Sequence, residues 1–160
     1  MMASVTVISV GSLKESYLKD AVLEYKKRLS QYARVEEIEL KEERISNEDD
    51  PAEVERALER EGERILAAIP KDAMKVALCI EGKQYSSEEL AGLLGGGLDA
   101  TGKLVFIIGS SHGLSEKVKA SSSVRLSFSR LTFPHQLVKP LLFEVIYRSF
   151  TIISGKKYHK

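Results

Sequence analysis

A chain of 160 residues that is 43% hydrophobic is long enough to bury a core of its own, and residues 1–160 read as one globular domain. The formal net charge of +1 leaves little bulk charge to hold a polyanion, and the apolar run Val5 to Val10 is too short to cross a membrane. Met1 to Ser4 lacks the basic stretch of a secretory signal, and the single Cys79 excludes an internal disulfide, so a cytoplasmic chain with Cys79 as a small core residue is expected.

The chain opens on SVTVISV, a strand, and the next segment places Leu18, Val22, Tyr25, Leu29 and Tyr32 at helical spacing on one face. VEEIEL alternates like a half-exposed strand. Asp50 followed by Pro51 is an N-cap and first-turn proline, and the helix behind it carries Val54, Leu58, Ile65 and Ile69 on one stripe. KVALCI is a third strand. Ser86 or Ser87, with Glu88 and Glu89 in the first turn, opens a helix predicted to stop at Gly95, Gly96 and Gly97. KLVFII is a fourth strand, Leu114 to Ala120 a short helix and VRLSFS a fifth strand. From His135 to Ile153 runs a long apolar helix in which Pro140 marks a late start or a kink. Strand and helix alternate, which predicts an α/β fold with a mainly parallel sheet and helices on both faces. The last helix is apolar on more sides than one stripe needs, and a homodimer would cover the remainder.

Charge is spread unevenly. Residues 36–63 hold thirteen acids and four bases, a balance of −9, whereas residues 121–160 hold seven bases and one acid, a balance of +6. The basic end lies beside the chain's most informative loops, LVFIIGSSHGLS and LTFPH, so a polyanion bound there meets a candidate site. In the first loop a fully covered strand runs into Gly109 and Gly113, presenting backbone amides before a short helix. In the second, Pro134 and His135 follow the next strand. Open α/β sheets place their ligands where two such loops meet at the carboxyl edge.

Gly109-Ser110-Ser111-His112-Gly113 also matches the G-x-S-x-G pattern of a nucleophile elbow. On that reading Ser111 is the nucleophile, Glu116 or Glu144 the acid and His135 or His159 the base; the length is short for such a hydrolase and no HGGG-type segment follows the third strand. His112, His135 and His159 have no metal-ligand spacing, so no metal is expected. There is neither a GxGxxG fingerprint nor a Walker loop, and any nucleotide-like cofactor must be held differently.

The set IGSSHGL, LSFSRLTFPHQ, the E-x-x-Y-R of Glu144, Tyr147 and Arg148, and the terminal Tyr158-His159-Lys160 resembles the RlmH (YbeA-type) SPOUT methyltransferases, as do VGSLKE and IEGKQYSSEEL. The resemblance implies an α/β fold with a C-terminal trefoil knot, an exception to the rule against threaded chains. It also implies a homodimer, S-adenosylmethionine as methyl donor, and as acceptor N3 of a pseudouridine in helix 69 of 23S rRNA in the assembled 70S ribosome. By position, the family's cofactor contacts fall on Leu78, Gly109, Phe128, Ser129, Arg130, Leu131, Thr132 and Phe133, and the candidates for the chemistry are His159, Arg148, Tyr158 and Glu144. One departure is Ser110, where many relatives carry a second glycine.

These residue types suit the chemistry. Leu78, Leu131 and Phe133 can line an apolar slot for adenine while main-chain groups make the hydrogen bonds, and Gly109 admits close approach. Methyl transfer is an in-line displacement that needs alignment and exclusion of water, and N3–H must lose its proton, so a base or an anion-stabilising cation helps; His159 and Arg148 are the groups on offer. Glu144 and Arg148 also stand at the spacing of a plain helical ion pair. The tail Lys156 to Lys160 joins basic and aromatic groups that suit a phosphate backbone and a stacked base. A non-catalytic RNA-binding module is the other reading that these features permit.

Overall fold

The computed structural model describes residues 2–160. Its strands are β1 (Ala3–Val10), β2 (Ala33–Leu40), β3 (Met74–Lys83), β4 (Lys103–Ile108) and β5 (Val124–Leu126), and its helices α1 (Ser16–Leu29), α2 (Pro51–Ala68), α3 (Ser87–Thr101), α4 (Glu116–Ser121) and α5 (His135–Ile153). The strands form one sheet in the order β2-β1-β4-β3-β5, and each neighbouring pair is parallel. A parallel sheet covered on both faces needs continuous apolar strands, which is why Val5 to Val10 and Leu104 to Ile108 are buried without a break.

The core is accordingly double. On one face Val5, Val7, Leu104 and Phe106 meet Leu18 and Val22 of α1, Leu90 and Leu94 of α3, and Leu142, Ile146 and Phe150 of α5. On the other, Ile8, Val10, Ala77, Val105 and Ile107 meet Ile65 of α2 and Val118 of α4. Local signals agree with the helix starts: Asp50 accepts from the amide of Ala52, and Ser86 forms a capping box with Glu89.

Four expectations change. The glycines at 95 to 97 do not stop a helix: α3 runs through them to Thr101 and ends at Gly102, whose φ of 69° is the left-handed cap. Gly97 is there for packing, because a Cβ on it would run into Met74 and Leu104. The fifth strand is three residues, not six, because the chain leaves the sheet at Ser127. In α2 the buried stripe is Ala57, Glu61, Gly62 and Ile65, while Val54 and Leu58 are half-buried and Ile69 is the C-cap. Finally α5 starts at His135, so Pro140 sits inside it rather than at a late start. Gln136 ties this first turn to the chain after β1: its side chain accepts from the amide of Lys14 and donates to the carbonyl of Ser12.

Much of the apolar surface of α5 is absorbed by α1 and α3 of the same chain. Leu137 and Ile153 remain exposed at its two ends. Its one buried cation, Lys139, is held by Glu37 at 2.8 Å and Glu39 at 3.3 Å on β2, which uses up two acids of the negative segment.

Candidate active site

Two loops and a bulge build the site. After β4 the chain turns at Ser110–Gly113, closed by the Gly113 amide donating to the Ser110 carbonyl at 2.9 Å, with Gly113 at φ +94°. Gly109 is obligatory here: a Cβ would collide with the Gly113 carbonyl and lie 2.9 Å from Leu114 Cδ2. On β3 the register against β5 breaks between Leu78 and Lys83, so the intervening residues bow away from the sheet edge. After β5, the loop is braced internally: the Ser127 hydroxyl donates to the Ser129 carbonyl and the Leu131 amide donates to the Ser129 hydroxyl.

Between these segments lies a cleft of about 330 Å³. Leu78, Gly109, Phe128, Ser129, Leu131, Thr132 and Phe133 all line it, so three stretches that are remote in sequence and that the family resemblance gives to one cofactor meet there. Arg130 does not; its side chain is exposed outside the lining. The cleft fits an S-adenosylmethionine-like ligand in chemistry: apolar walls from Leu78, Leu131 and Phe133, polar loop residues Ser129 and Thr132, and Gly109, which lets the Ser110–Gly113 turn fold tightly at its edge. Leu131 stands 71% exposed at the rim. At another edge Lys119 pairs with Glu81; burial opposes its charge, but the Glu81 carboxylate holds its pKa above the ordinary lysine value.

The four tail and α5 candidates come together in one hydrogen-bonded chain. Tyr158 donates to Glu144 at 2.8 Å, Arg148 donates to Glu144 at 2.7 Å, Arg148 Nη1 lies 3.0 Å from His159 Nδ1, and His159 Nε2 lies 2.7 Å from Glu88. Since a guanidinium only donates and a carboxylate only accepts, these partners assign neutral His159 its tautomer: Nε2 carries the hydrogen and Nδ1 the lone pair. Burial, and then the Glu144 carboxylate that accepts its hydroxyl, push Tyr158 up to about 12, so it acts as a donor and not as a base. Its ring packs edge-on against Tyr147 at 4.8 Å and lies under the Arg148 guanidinium, also at 4.8 Å. The C-terminal residues are thus docked. The Glu144–Arg148 helical pair is present, and it is also the centre of this chain.

The hydrolase constellation does not assemble. Among the described residues no histidine hydrogen-bonds to Ser111, and His112 instead faces Glu48 at 3.6 Å. The elbow's strained backbone is missing too, since Asp72 is the one non-glycine residue with positive φ among those described. Burial, followed by the Glu81 carboxylate, raises the Cys79 thiol to about 11, as befits a core residue.

Three participants escape a reading of the sequence. Glu88 reads there as an ordinary first-turn acid, and nothing links it to a histidine 71 residues away. Glu61 is buried under the glycine loop: one carboxylate oxygen accepts from the Glu43 amide at 2.8 Å and the other has no partner, with Ser110 beside it. Burial raises its pKa above the usual carboxylate range, against the Glu43 amide and the Ser110 hydroxyl. An acid inside an amphipathic stripe was the available sign. Tyr85, at the head of α3, is the third; it lines a hollow next to Arg148.

Residues 3–159 match the family described as "Predicted SPOUT methyltransferase", and the chain belongs to that family. Within it, the chain is 47% identical over 157 residues to "Ribosomal RNA large subunit methyltransferase H" of Carboxydothermus hydrogenoformans, covering 98% of this chain and 99% of that one. The protein of the same name from Shouchella clausii is 47% identical over 158 residues, with the same coverage of both chains. Among solved structures, a probable methylase family protein from Haemophilus influenzae superposes with a TM-score of 0.53 at 12% identity, over 98% of this chain and 70% of the other, a likeness of fold alone.

Proposed function

We propose that the protein transfers a methyl group from S-adenosylmethionine to N3 of a pseudouridine in helix 69 of 23S rRNA, acting on assembled 70S ribosomes in the cytoplasm as a homodimer. One observation carries the reading: Leu78, Gly109 and five residues of the loop from Phe128 to Phe133 converge on a single cleft. It is supported by the relatives of the same length named for large-subunit ribosomal RNA methylation. The exposed Leu137 and Ile153 at the two ends of α5 favour a second copy as the missing cover. The strand order, with β3 between β4 and β5, is compatible with the knotted path that the family likeness implies.

The cleft residues would hold the cofactor: Leu78, Leu131 and Phe133 against the adenine, and Gly109 where the chain must approach most closely. Bound there, S-adenosylmethionine would supply an electrophilic sulfonium methyl carbon, whose transfer to N3 would leave a neutral thioether. His159 Nδ1 takes the N3 proton. For that, Arg148 must release Nδ1, and its natural new partner is the imide oxygen on which negative charge gathers. Glu88 holds the opposite nitrogen and stabilises the imidazolium formed, which then passes its proton to water. Tyr158 and Glu144 orient Arg148.

Ribosomes lacking the modification, incubated with the protein and methyl-labelled cofactor, should yield label in one 23S fragment, identified by mass spectrometry as N3-methylpseudouridine. Label at another nucleotide, or none, would overturn the assignment. Hydrolysis of an activated ester that is lost in Ser111→Ala would instead support a hydrolase, and ribosome binding without any uptake of cofactor would indicate a non-catalytic module.

A further inference from the structure

Glu61 is a buried ionisable group that the mechanism above leaves unused. It stands on α2 at 3% exposure, beside the turn after β4. α2 comes close here because its next residue is Gly62: a Cβ there would collide with Ser115 Oγ and lie 3.3 Å from Val118 Cγ2. One Glu61 oxygen accepts from the Glu43 amide at 2.8 Å, a tie that a glutamine would make equally well. The other has no hydrogen-bond partner among the described residues. A carboxylate buried with one oxygen unpartnered is costly, and packing alone does not call for it. Its neighbour is Ser110, which lines the cofactor cleft and whose hydroxyl draws the Glu61 pKa down as a donor does. That hydroxyl oxygen already accepts from the His112 amide at 3.4 Å, which leaves its hydrogen free to be given. The cations around are engaged elsewhere: Arg64 donates to the Lys41 carbonyl at 3.0 Å and pairs with Glu43, and Lys119 of α4 pairs with Glu81.

Resting on the methyltransferase reading above, we propose that Glu61 is a positioning residue of the cofactor cleft: it gives up its proton as the positively charged cofactor enters, accepts the Ser110 hydroxyl, and so braces the Ser110–Gly113 turn around the donor in preference to its neutral product. Of the charged groups packed round it, Glu42 opposes ionisation and Arg64 favours it. His112 on the turn faces Glu48, Glu116 and Lys119 stand on α4, and β1 has no charged residue. Burial outweighs the rest and keeps the proton on Glu61 over the range just above the ordinary carboxylate value of 4.5. S-adenosylmethionine carries a sulfonium that S-adenosylhomocysteine lacks. A positive charge brought into the cleft favours the carboxylate form, and the proton leaves to the buffer. By reciprocity ionised Glu61 strengthens binding of the charged cofactor and does nothing comparable for the neutral product. The complex then holds fewer protons than the free protein, so affinity for the cofactor rises with pH through the window above 4.5 and levels off once Glu61 is ionised in both. Affinity for the product stays flat.

Isothermal titration in two buffers of different ionisation heat reads the proton directly. At about pH 5.5, roughly one unit above the ordinary carboxylate value, binding of S-adenosylmethionine should release a fraction of a proton and binding of S-adenosylhomocysteine none. Glu61→Gln keeps the tie to the Glu43 amide. It should bind the cofactor about fivefold or more weaker at about pH 8, the lower end of coupling between two sites, with product binding unchanged, no proton released and no pH slope. Ser110→Ala removes the donor that helps Glu61 ionise, so the same rise in cofactor affinity should appear at higher pH. If Glu61→Gln does not fold, Ser110→Ala and the buffer series on the unsubstituted protein decide alone. Equal loss of cofactor and product binding in Glu61→Gln would mark a merely structural acid and overturn the proposal. Proton release that survives in Glu61→Gln and vanishes in His112→Gln would overturn it too. Saturable cofactor binding with neither proton release nor pH slope would refute this role and leave the cofactor reading standing; no heat with either ligand would refute that reading and the role with it.

Discussion

Gly109→Ala isolates the demand that the cleft makes on the backbone. An added Cβ would meet the Gly113 carbonyl oxygen, sit 2.6 Å from Gly113 C and 2.9 Å from Leu114 Cδ2, and two of those three atoms are backbone that has no rotamer in which to retreat. Overpacking of this kind costs about 2 kcal/mol. For a domain of this size that corresponds to a fall in Tm of about 4–8 °C. Since the only available relief is to push the Ser110–Gly113 turn outward, and that turn is a wall of the cleft, affinity for S-adenosylmethionine should also drop by tenfold or more. Gly102→Ala is the matched control: it strains a left-handed cap, φ 69°, in open space away from the cleft. It should lower Tm by about 2–4 °C, from a strain of about 1 kcal/mol, and leave the cofactor heat unchanged. Scanning calorimetry and isothermal titration on the three proteins read both quantities. If Gly109→Ala bound cofactor as the unsubstituted protein does, or if both variants weakened it equally, the reasoning from close approach would be wrong.

Glu88→Ala removes the acceptor that orients the His159 ring through Nε2–H, so methyl transfer to ribosomes should fall about tenfold, and His159→Ala about a hundredfold, both with unaltered cofactor heat; Glu88→Gln keeps an acceptor oxygen and should recover most of the loss. Glu61 binds its proton more tightly folded than unfolded, so its contribution makes stability decline as pH rises above the ordinary carboxylate value of 4.5. Glu61→Gln should accordingly be relatively more stable at about pH 8 than at about pH 4.5, as measured by urea midpoints; a difference of the opposite sign would show that the buried carboxylate is stabilising. Arg130 lies outside the cleft and exposed. Arg130→Glu should leave cofactor binding intact and weaken ribosome binding, lowering the slope of log affinity against log salt by about 1.

What could be read from the sequence was whatever depends on local pattern. The covered strands Val5 to Val10 and Leu104 to Ile108, the Asp50-Pro51 start and the serine that opens α3 are short-range signals, and the structure bears each of them out. Most misreadings came from tertiary packing. Gly97 sits in a helix because the sheet beneath leaves no room for a side chain, although its neighbours Gly95 and Gly96 look like a stop. VRLSFS alternates like a strand throughout, yet Ser127 and Ser129 bond to each other and close a loop instead of extending β5. Lys139 is buried in a helix read as apolar, because two glutamates on an edge strand a hundred residues earlier neutralise it. For the site, the motif residues of the cleft and the tail were accessible through family likeness. Glu88 was not, because its partner is fixed by how the C-terminal residues fold back, a long-range fact with no periodicity.

Isothermal titration of the protein with S-adenosylmethionine addresses the central claim, that the turn after β4 and the loop after β5 enclose a nucleoside sulfonium. The account predicts saturable heat with one site per chain, abolished by Thr132→Trp within the cleft lining and retained by Ser111→Ala. A flat titration, or saturable heat that Thr132→Trp leaves untouched, would contradict it.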